Sequence, residues 1–557
     1  MQPMPKPSSL PVSSDRPGNS AALLGGVLIF LGLAWQRWEL AGVAQWREDQ
    51  ATNLWLGLQM WRGVYFAPVG LINSLGTPNP NGLNWLGFAL SALPSLRLAS
   101  LALGLVQLGL IARLCWLLFR ETPLLFWAAL LAAGSCLQVV LTGVELWAQW
   151  TLGLLNLLFL GELVRLRQGA PPFWPVFLIV NCVFAAPALY LGGVLNSAGY
   201  AVLLAAVLWR HPARGRDLFG GFRKKVLWAT ALLLHGVLVW LPYVQVAGLS
   251  VTGLDRPFAQ RLKESALTLA EFPVTIYRLL PHELENLTQV TPRIMAPDFY
   301  LALRLSHYAV AGLIFASLLW QLARRRFSPA ALGVGFAVLL GVASPLLGGF
   351  AWGLGERLDQ APQLLPLLLV AAFGAFPLPR QWHGLLLALA VVFAGVHFEL
   401  GRRLDAGLLD DRGPKLGEAD LPLDDRRRAV DFIAADWAAK AGRDAARKVS
   451  VFYSFGDREL YHEPEVTTWV VVIERYGAIM ANFYPDAPYT IGRGYDWELL
   501  RRWHLENQDE GKLQTERRWN GHRYTLSMVG LPVPSYVPPS AQHHEFGRVR
   551  VSVFDGR

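Results

Sequence analysis

The residues best suited to chemistry in this chain are the charged side chains that stand at the ends of long apolar runs. The densest set is Arg47, Glu48 and Asp49, directly after the first run. A carboxylate where water meets hydrocarbon suits proton abstraction, because burial against apolar groups raises its pKa and makes it a better base. Arg357 lies in GERLDQAPQLLP, just ahead of a late apolar run. A guanidinium in such a place can hold two oxygens of an anion and stabilise charge on a departing oxyanion. Glu145 sits in TGVELWAQW, a short turn between two apolar stretches, and Arg256, Arg261 and Lys263 lie in the polar stretch 248–302. Bland roles compete with each of these. Glu48 can pair with Arg47, Arg357 can pair with Asp359 or anchor a helix end, and Glu145 can be a helix-start carboxylate favoured by the dipole. The cations of 248–302 equally suit the solvated face of an amphipathic helix.

Other chemistry is poorly supported. His282 beside Glu283 has no second histidine at ligand spacing, and the adjacent pair His543 and His544 cannot chelate from a helix face. Both read as surface histidines. Cys115, Cys136 and Cys182 all lie in apolar runs and suggest neither a disulfide nor a metal site. No P-loop, GxSxG, CxxC or HExxH pattern occurs, which argues against ATP hydrolysis and zinc proteolysis. Asn286-Leu287-Thr288 matches a glycosylation sequon, which carries no meaning in a bacterial chain.

The elements that must position these residues are membrane helices. Of 557 residues, 53% are hydrophobic and only 16% charged, with 22 Trp. Soluble proteins are nearer about a quarter charged. Runs long enough to span, at about 20 apolar residues each, are 21–40, 96–119, 123–141, 144–164, 173–190, 193–209, 226–247, 303–322, 329–347, 361–378 and 382–399, eleven in all. The stretch 83–94 is too short to span by itself and suits a re-entrant segment or part of a longer helix. Residues 1–20 read as a disordered tail. Basic residues recur in alternate connections: Arg120, then Arg165 and Arg167, then Arg223, Lys224 and Lys225, then Arg324, Arg325 and Arg326. The positive-inside rule therefore predicts a cytoplasmic N-terminus and puts 41–82, 248–302 and the region after 400 outside. The net charge of +9 follows from that bias and is no sign of nucleic acid.

The first outer segment predicts an amphipathic helix through Leu54, Leu58 and Trp61, then Gly63 and Tyr65, the turn-rich TPNPNG and an apolar return. From about 421 to 557 the composition becomes that of a soluble α/β domain. The spacing of Val430, Ile433, Ala434, Trp437 and Ala438 predicts a helix, as does DWELLRRWHLEN, whereas KVSVFYSF, RYTLSMVGL and RVRVSVF alternate as strands.

The first outer segment resembles the GT-C superfamily of membrane glycosyltransferases, which includes protein mannosyltransferases and aminoarabinose transferases. An acidic residue in the first external loop, often in a DE pair, a juxtamembrane helix and a turn-rich return to the membrane carry the resemblance. Here the pair is reversed, as Glu48-Asp49, and Asp49 maps onto the catalytic carboxylate with Glu48 as its alternate. The Arg of an RY-x-x-x-x-x-P pattern ahead of a late span maps onto Arg357, with Leu358 where the family has Tyr. The resemblance covers residues 21–400 in plan. It implies a mainly α fold of about eleven transmembrane helices with an extracytoplasmic α/β domain. It also implies a polyprenyl-phosphate-linked sugar as donor, a glycan, lipid or protein as acceptor, and a site at the outer face of the plasma or inner membrane. Glu145 then matches a second outer-loop acid that assists substrate or metal, and Arg256, Arg261 and Lys263 become contacts for lipid phosphate. A divalent cation is required by some members of the superfamily and not by others. Two rival classes remain at this level. A transporter or flippase needs ionisable groups and broken helices near mid-membrane. A non-catalytic scaffold needs no acid at position 49.

Overall fold

Apolar helices dominate the computed structural model. It describes residues 17–42, 48–61, 66–72, 78–210, 220–247, 257–280, 297–324, 329–346, 362–374 and 379–406, strands between 450 and 554, and isolated positions including parts of 425–439. In chain order the helices are α1 (Pro17–Ala41), α2 (Glu48–Trp61), α3 (Gly82–Leu90), α4 (Leu96–Phe119), α5 (Pro123–Ser135), α6 (Leu137–Val144), α7 (Ala148–Arg167), α8 (Phe173–Leu189) and α9 (Val194–Arg210). They continue with α10 (Phe222–His235), a π-helical turn Gly236–Trp240, α11 (Leu241–Ala247), α12 (Phe258–Ala270), α13 (Phe272–Leu279), α14 (Pro297–Arg324), α15 (Pro329–Leu346), α16 (Leu365–Gly374) and α17 (His383–Ala406). A hairpin, β1 (Val69–Ile72) with β2 (Pro78–Pro80), separates α2 from α3. After α17 come β3 (Ser450–Ser454), β4 (Thr467–Glu474), β5 (Gly477–Asn482), β6 (Tyr524–Met528), β7 (Gln542–Phe546) and β8 (Val549–Val553).

Six of the described helical segments are long and apolar enough to cross a membrane, and seven if α5 and α6 form one bent span. That measure does not establish the eleven spans expected from sequence. α8 has only 17 residues, and α7 carries Glu162, Arg165 and Arg167. Apolar side chains cover the outside of the bundle: Leu24 and Leu28 on α1 and Leu233 on α10 are each more than 60% exposed. Such faces are stable against lipid rather than water, so the chain is an integral membrane protein.

The bundle has two unlike ends, because successive helices alternate in direction. At one end, Leu40 of α1 meets Gly401 of α17, and Arg403 of α17 covers the ring of Phe299 in α14 at 4.2 Å. Arg97, at the start of α4, covers Trp38 near the end of α1 at 4.1 Å. The connections 41–82 and 248–302 and the sheet region all leave from this loop end. At the opposite end lie Arg113, Glu162 and Arg165, with Lys224 over Phe173 at 5.3 Å.

The C-terminal sheet has six strands in the order β5-β4-β3-β6-β8-β7, antiparallel except for the parallel pair β3 and β6. Its edge strand β5 packs beside α2. Ile433 of the predicted stripe is buried, as is Ala429 four residues before it; Val430, Ala434, Trp437 and Ala438, like the second expected helix DWELLRRWHLEN, lie outside the described residues. His543 and His544 sit on β7, where neighbours point to opposite faces; His543 Nδ1 lies 2.9 Å from Ser552 Oγ. All three cysteines are buried and free.

α2 and α3 cross with almost no gap. A Cβ at Gly57 would lie 2.3 Å from the backbone of Gly87 and Phe88, and one at Gly87 would lie 2.5 Å from the carbonyl of Asn53. Gly57→Ala is therefore expected to force the helices apart at about 1–3 kcal/mol, the usual effect of overpacking. Gly32→Ala, with nothing within 4 Å of its added methyl, serves as the control. Thermal midpoints in detergent check this, and equal midpoints for the two variants would contradict the close crossing.

Candidate functional site

Glu48 and Asp49 open α2, so the two acids expected to do chemistry stand at the start of the juxtamembrane helix; their side chains lie outside the described residues. The predicted apolar stripe is real: Leu54 and Leu58 are fully buried, together with Leu56. Trp61 remains 45% exposed and packs against Phe88, which meets Trp85, which meets Phe66, giving a row of four rings at 5.1 to 5.5 Å. α2 ends because Gly63 takes a left-handed conformation, φ 68°, with its N–H bonded to the carbonyl of Met60.

The turn-rich segment TPNPNG is a set of clamps. Asn79 Oδ1 accepts from the Leu191 N–H at 3.2 Å. Asn81 Nδ2 donates to the carbonyls of Ala67 and Leu238, each at 3.0 Å, and Asn84 Nδ2 donates to Val69. Trp85 Nε1 also donates to Leu238, at 3.3 Å. Leu238 lies in the π-helical turn, whose wider winding frees a carbonyl for outside donors. The first connection is thereby bolted to the α8–α9 corner and to the α10–α11 span.

A buried polar seam was not anticipated. The run read as one span at 123–141 is broken at Cys136, with α5 and α6 at 61° to each other. In hydrocarbon every freed backbone group needs a partner, and these find theirs on α1 and α17. Arg37, fully buried, donates through Nη1 to Gly134 at 2.9 Å and to Leu33, through Nε to Gly104 at 3.0 Å, and through Nη2 to Gln107 Oε1. Gln36 Nε2 donates to Ser135. His397 Nδ1 accepts from the Leu137 N–H at 3.0 Å, and its Nε2 lies 3.1 Å from His307 Nε2. Because Nδ1 accepts, His397 carries its proton on Nε2 and gives it to His307. The signal was present in the sequence: a Gly-Ser pair inside an apolar run, and isolated Arg and His residues in three others. A broken span with ionisable neighbours is the feature a transporter reading requires. Here the arginine, the glutamine and His397 are all engaged in satisfying the break.

A second buried network joins Asn156, Asn196, Tyr200 and Gln363. Asn196 Nδ2 donates to Asn156 Oδ1 and to Gln363 Oε1, both at 2.9 Å, and Tyr200 Oη donates to Asn156 Oδ1 at 2.5 Å. It ties α7 and α9 to the short 3-10 turn Pro362–Leu364 that starts the late span. Arg357 lies outside the described residues, as does Arg256.

The remaining expected residues scatter along the loop end. Glu145 is 4% exposed and follows the last turn of α6, three residues before α7 begins. That is the negative end of a helix dipole, so the helix-start reading of Glu145 does not hold. Arg261 turns onto α15 and donates to the Leu346 carbonyl at 2.8 Å, whereas Lys263 faces away and is exposed. The structure does not bring Glu145 and Arg261 into contact. Arg97 donates to the Trp38 carbonyl, and Arg304 donates to two tyrosines. Among the described residues Arg97, Arg261 and Arg304 have no carboxylate partner. Glu399, also at the loop end, is held between Arg402 and Arg403, and at the opposite end Glu162, 1% exposed, is held between Arg113 and Arg165. Among the described residues no three His, Cys, Asp or Glu side chains are placed to hold a metal ion.

The chain is similar to two crystal structures of ArnT from Cupriavidus metallidurans, one bound to undecaprenyl phosphate and one in the apo state. Against ArnT bound to undecaprenyl phosphate the identity is 14% and the TM-score 0.47, over 94% of this chain and 97% of the other. Against apo ArnT the identity is 14% and the TM-score 0.48, over 96% and 98%. No family model matches the sequence, and no curated protein matches it.

Arg37→Met removes the donors that hold the α5–α6 break. Each orphaned buried carbonyl loses about 1–3 kcal/mol. A pronounced fall in thermal midpoint is expected, and Arg37→Lys is expected to rescue little of it, since an ammonium cannot reproduce the fork. A midpoint for Arg37→Met equal to that of wild type would contradict the clamp.

Proposed function

We propose that this chain is a membrane glycosyltransferase that moves a sugar from a polyprenyl-phosphate carrier to an acceptor at the loop end of the bundle, on the outer side of the membrane. The observation that carries the reading is the charge arrangement at that end. α2 opens on Glu48 and Asp49 there, and Arg97, Arg261 and Arg304 stand at the same end with no carboxylate partner among the described residues. An acid and unneutralised cations at one membrane boundary are what attack by a hydroxyl and departure of a phosphate require.

In this proposal the acceptor hydroxyl gives its proton to the Asp49 carboxylate while its oxygen bonds to the anomeric carbon from the face opposite the phosphate. The bond from that carbon to the phosphate oxygen breaks, its electron pair stays with the lipid phosphate, and the anomeric configuration inverts. Glu48 is the alternate base. We assign Arg357 to the departing phosphate and Glu145, Arg256, Arg261 and Lys263 to contacts with the substrate. The C-terminal sheet, whose β5 edge packs beside α2, then borders the acceptor's approach. The acceptor is a glycan, lipid or protein presented from outside.

A positioned base contributes roughly 100- to 10,000-fold to rate. Asp49→Asn is therefore expected to lower sugar transfer in membranes by at least about 100-fold, with Glu48→Gln much milder. Transfer from radiolabelled polyprenyl-phosphate sugar to endogenous acceptor is the measurement. Unchanged transfer in both variants would remove the proposed base.

A further inference from the structure

One cation at the loop end faces lipid. Arg304 lies on α14 six residues beyond Asp298, where the apolar span Asp298–Ser317 begins, which is about 9 Å along the helix axis. Its Nε donates to Tyr300 Oη at 2.7 Å and its Nη1 to Tyr277 Oη at 2.8 Å. Tyr277, on the amphipathic helix α13, stacks on Tyr308 with ring centroids 4.6 Å apart and planes 8° apart. Around them the surface is apolar and open: Leu301, Leu305 and Tyr308 of α14 and Val274 of α13 are each more than 50% exposed.

Every group in this cluster offers hydrogens, and none offers negative charge. An arginine has five N–H donors and no acceptor. The two phenols that accept from it are neutral. Burial, reinforced by its hydrogen bond to Tyr308, pushes the Tyr277 phenol up to about 12, so it keeps its proton. No described residue accepts from the hydroxyls of Tyr300 or Tyr308. A charged guanidinium at the edge of hydrocarbon, answered among the described residues only by phenols, is costly unless an anion reaches it. At this depth, the available anion beside an open apolar face is a headgroup phosphate whose acyl or prenyl chains lie along α13 and α14.

We propose that Arg304, with Tyr277, Tyr300 and Tyr308, forms a docking site for the phosphate of a membrane lipid on the bilayer-facing side of α13 and α14. The site extends the proposed function in one respect: the phosphate-linked carrier is a lipid of this chemistry and enters from the same leaflet. The binding itself requires no sugar transfer.

The test is a titration of purified full-length protein in detergent with dioleoylphosphatidic acid, read as lipid adducts by native mass spectrometry. Wild type is expected to hold one saturable adduct, and Arg304→Gln to weaken it by about tenfold or more, as loss of a charge-assisted pair requires. Tyr308→Phe, which keeps an exposed ring, is expected to weaken it several-fold and covers the case in which Arg304→Gln fails to fold. Polyprenyl phosphate and dioleoylphosphatidylglycerol are expected to compete for the site, and dioleoylphosphatidylcholine is not. Undiminished binding in both variants overturns the proposal. So does equal competition by phosphatidylcholine, which would mark an annular lipid only, or full displacement by inorganic phosphate at the same concentration, which would mark a free-anion site. Because no sugar donor is present, failure of sugar transfer leaves this result untouched, and failure here leaves the Asp49 assignment untouched.

Discussion

Everything in this bundle depends on one constraint: inside hydrocarbon, a backbone that leaves the regular helix must find its hydrogen-bond partners within the protein. Among the described residues two departures from regular helix fall inside apolar spans, at Cys136 between α5 and α6 and at the π-helical turn before α11. The first departure is held by Arg37, Gln36 and His397, and the second by Asn81 and Trp85. Those five side chains come from α1, α17 and the first connection with α3. The irregular points are therefore also where distant parts of the chain are joined. Because Asn81 belongs to the connection that starts with Glu48 and Asp49, the second join anchors the region expected to carry the acid.

This constraint separates polar groups that hold the fold from those left for a ligand. Arg37 and His397 are deep and engaged by backbone groups, and the Asn156 network is closed among amides and a phenol. Arg97, Arg261 and Arg304 differ, since only carbonyls and phenols answer their charge among the described residues. Glu162 at the far end has two arginines of its own. Arg97, Arg261 and Arg304 therefore stand together at the loop end as cations without a carboxylate partner among the described residues.

Much of the helical framework was legible in the sequence, because lipid demands long apolar runs and few other sequences satisfy that demand. The short α3 and the strands β3, β6 and β8 were legible for similar reasons of length and alternation. The break at Cys136 was not, because α5 and α6 are both apolar and the run continues across them; within that run Gly134 and Ser135 were the hint. Arg37 went unread because it falls within a run apolar enough to span, and its partners are carbonyls from α4 and α5, far away in sequence. Arg304 and its tyrosines went unread for a related reason. Their spacing on α14 is visible, but Tyr277 comes from a different helix, α13, twenty-three residues earlier than Tyr300.

The most direct measurement of the central claim follows the carrier itself. Purified protein in liposomes receives polyprenyl-phosphate sugar and acceptor, and the lipid is followed by mass spectrometry with time. A glycosyltransferase converts the carrier to free polyprenyl phosphate as the acceptor gains the sugar, at matching rates. A carrier that stays intact, or crosses the bilayer with its sugar still attached, would contradict the account and return the chain to the transporter class.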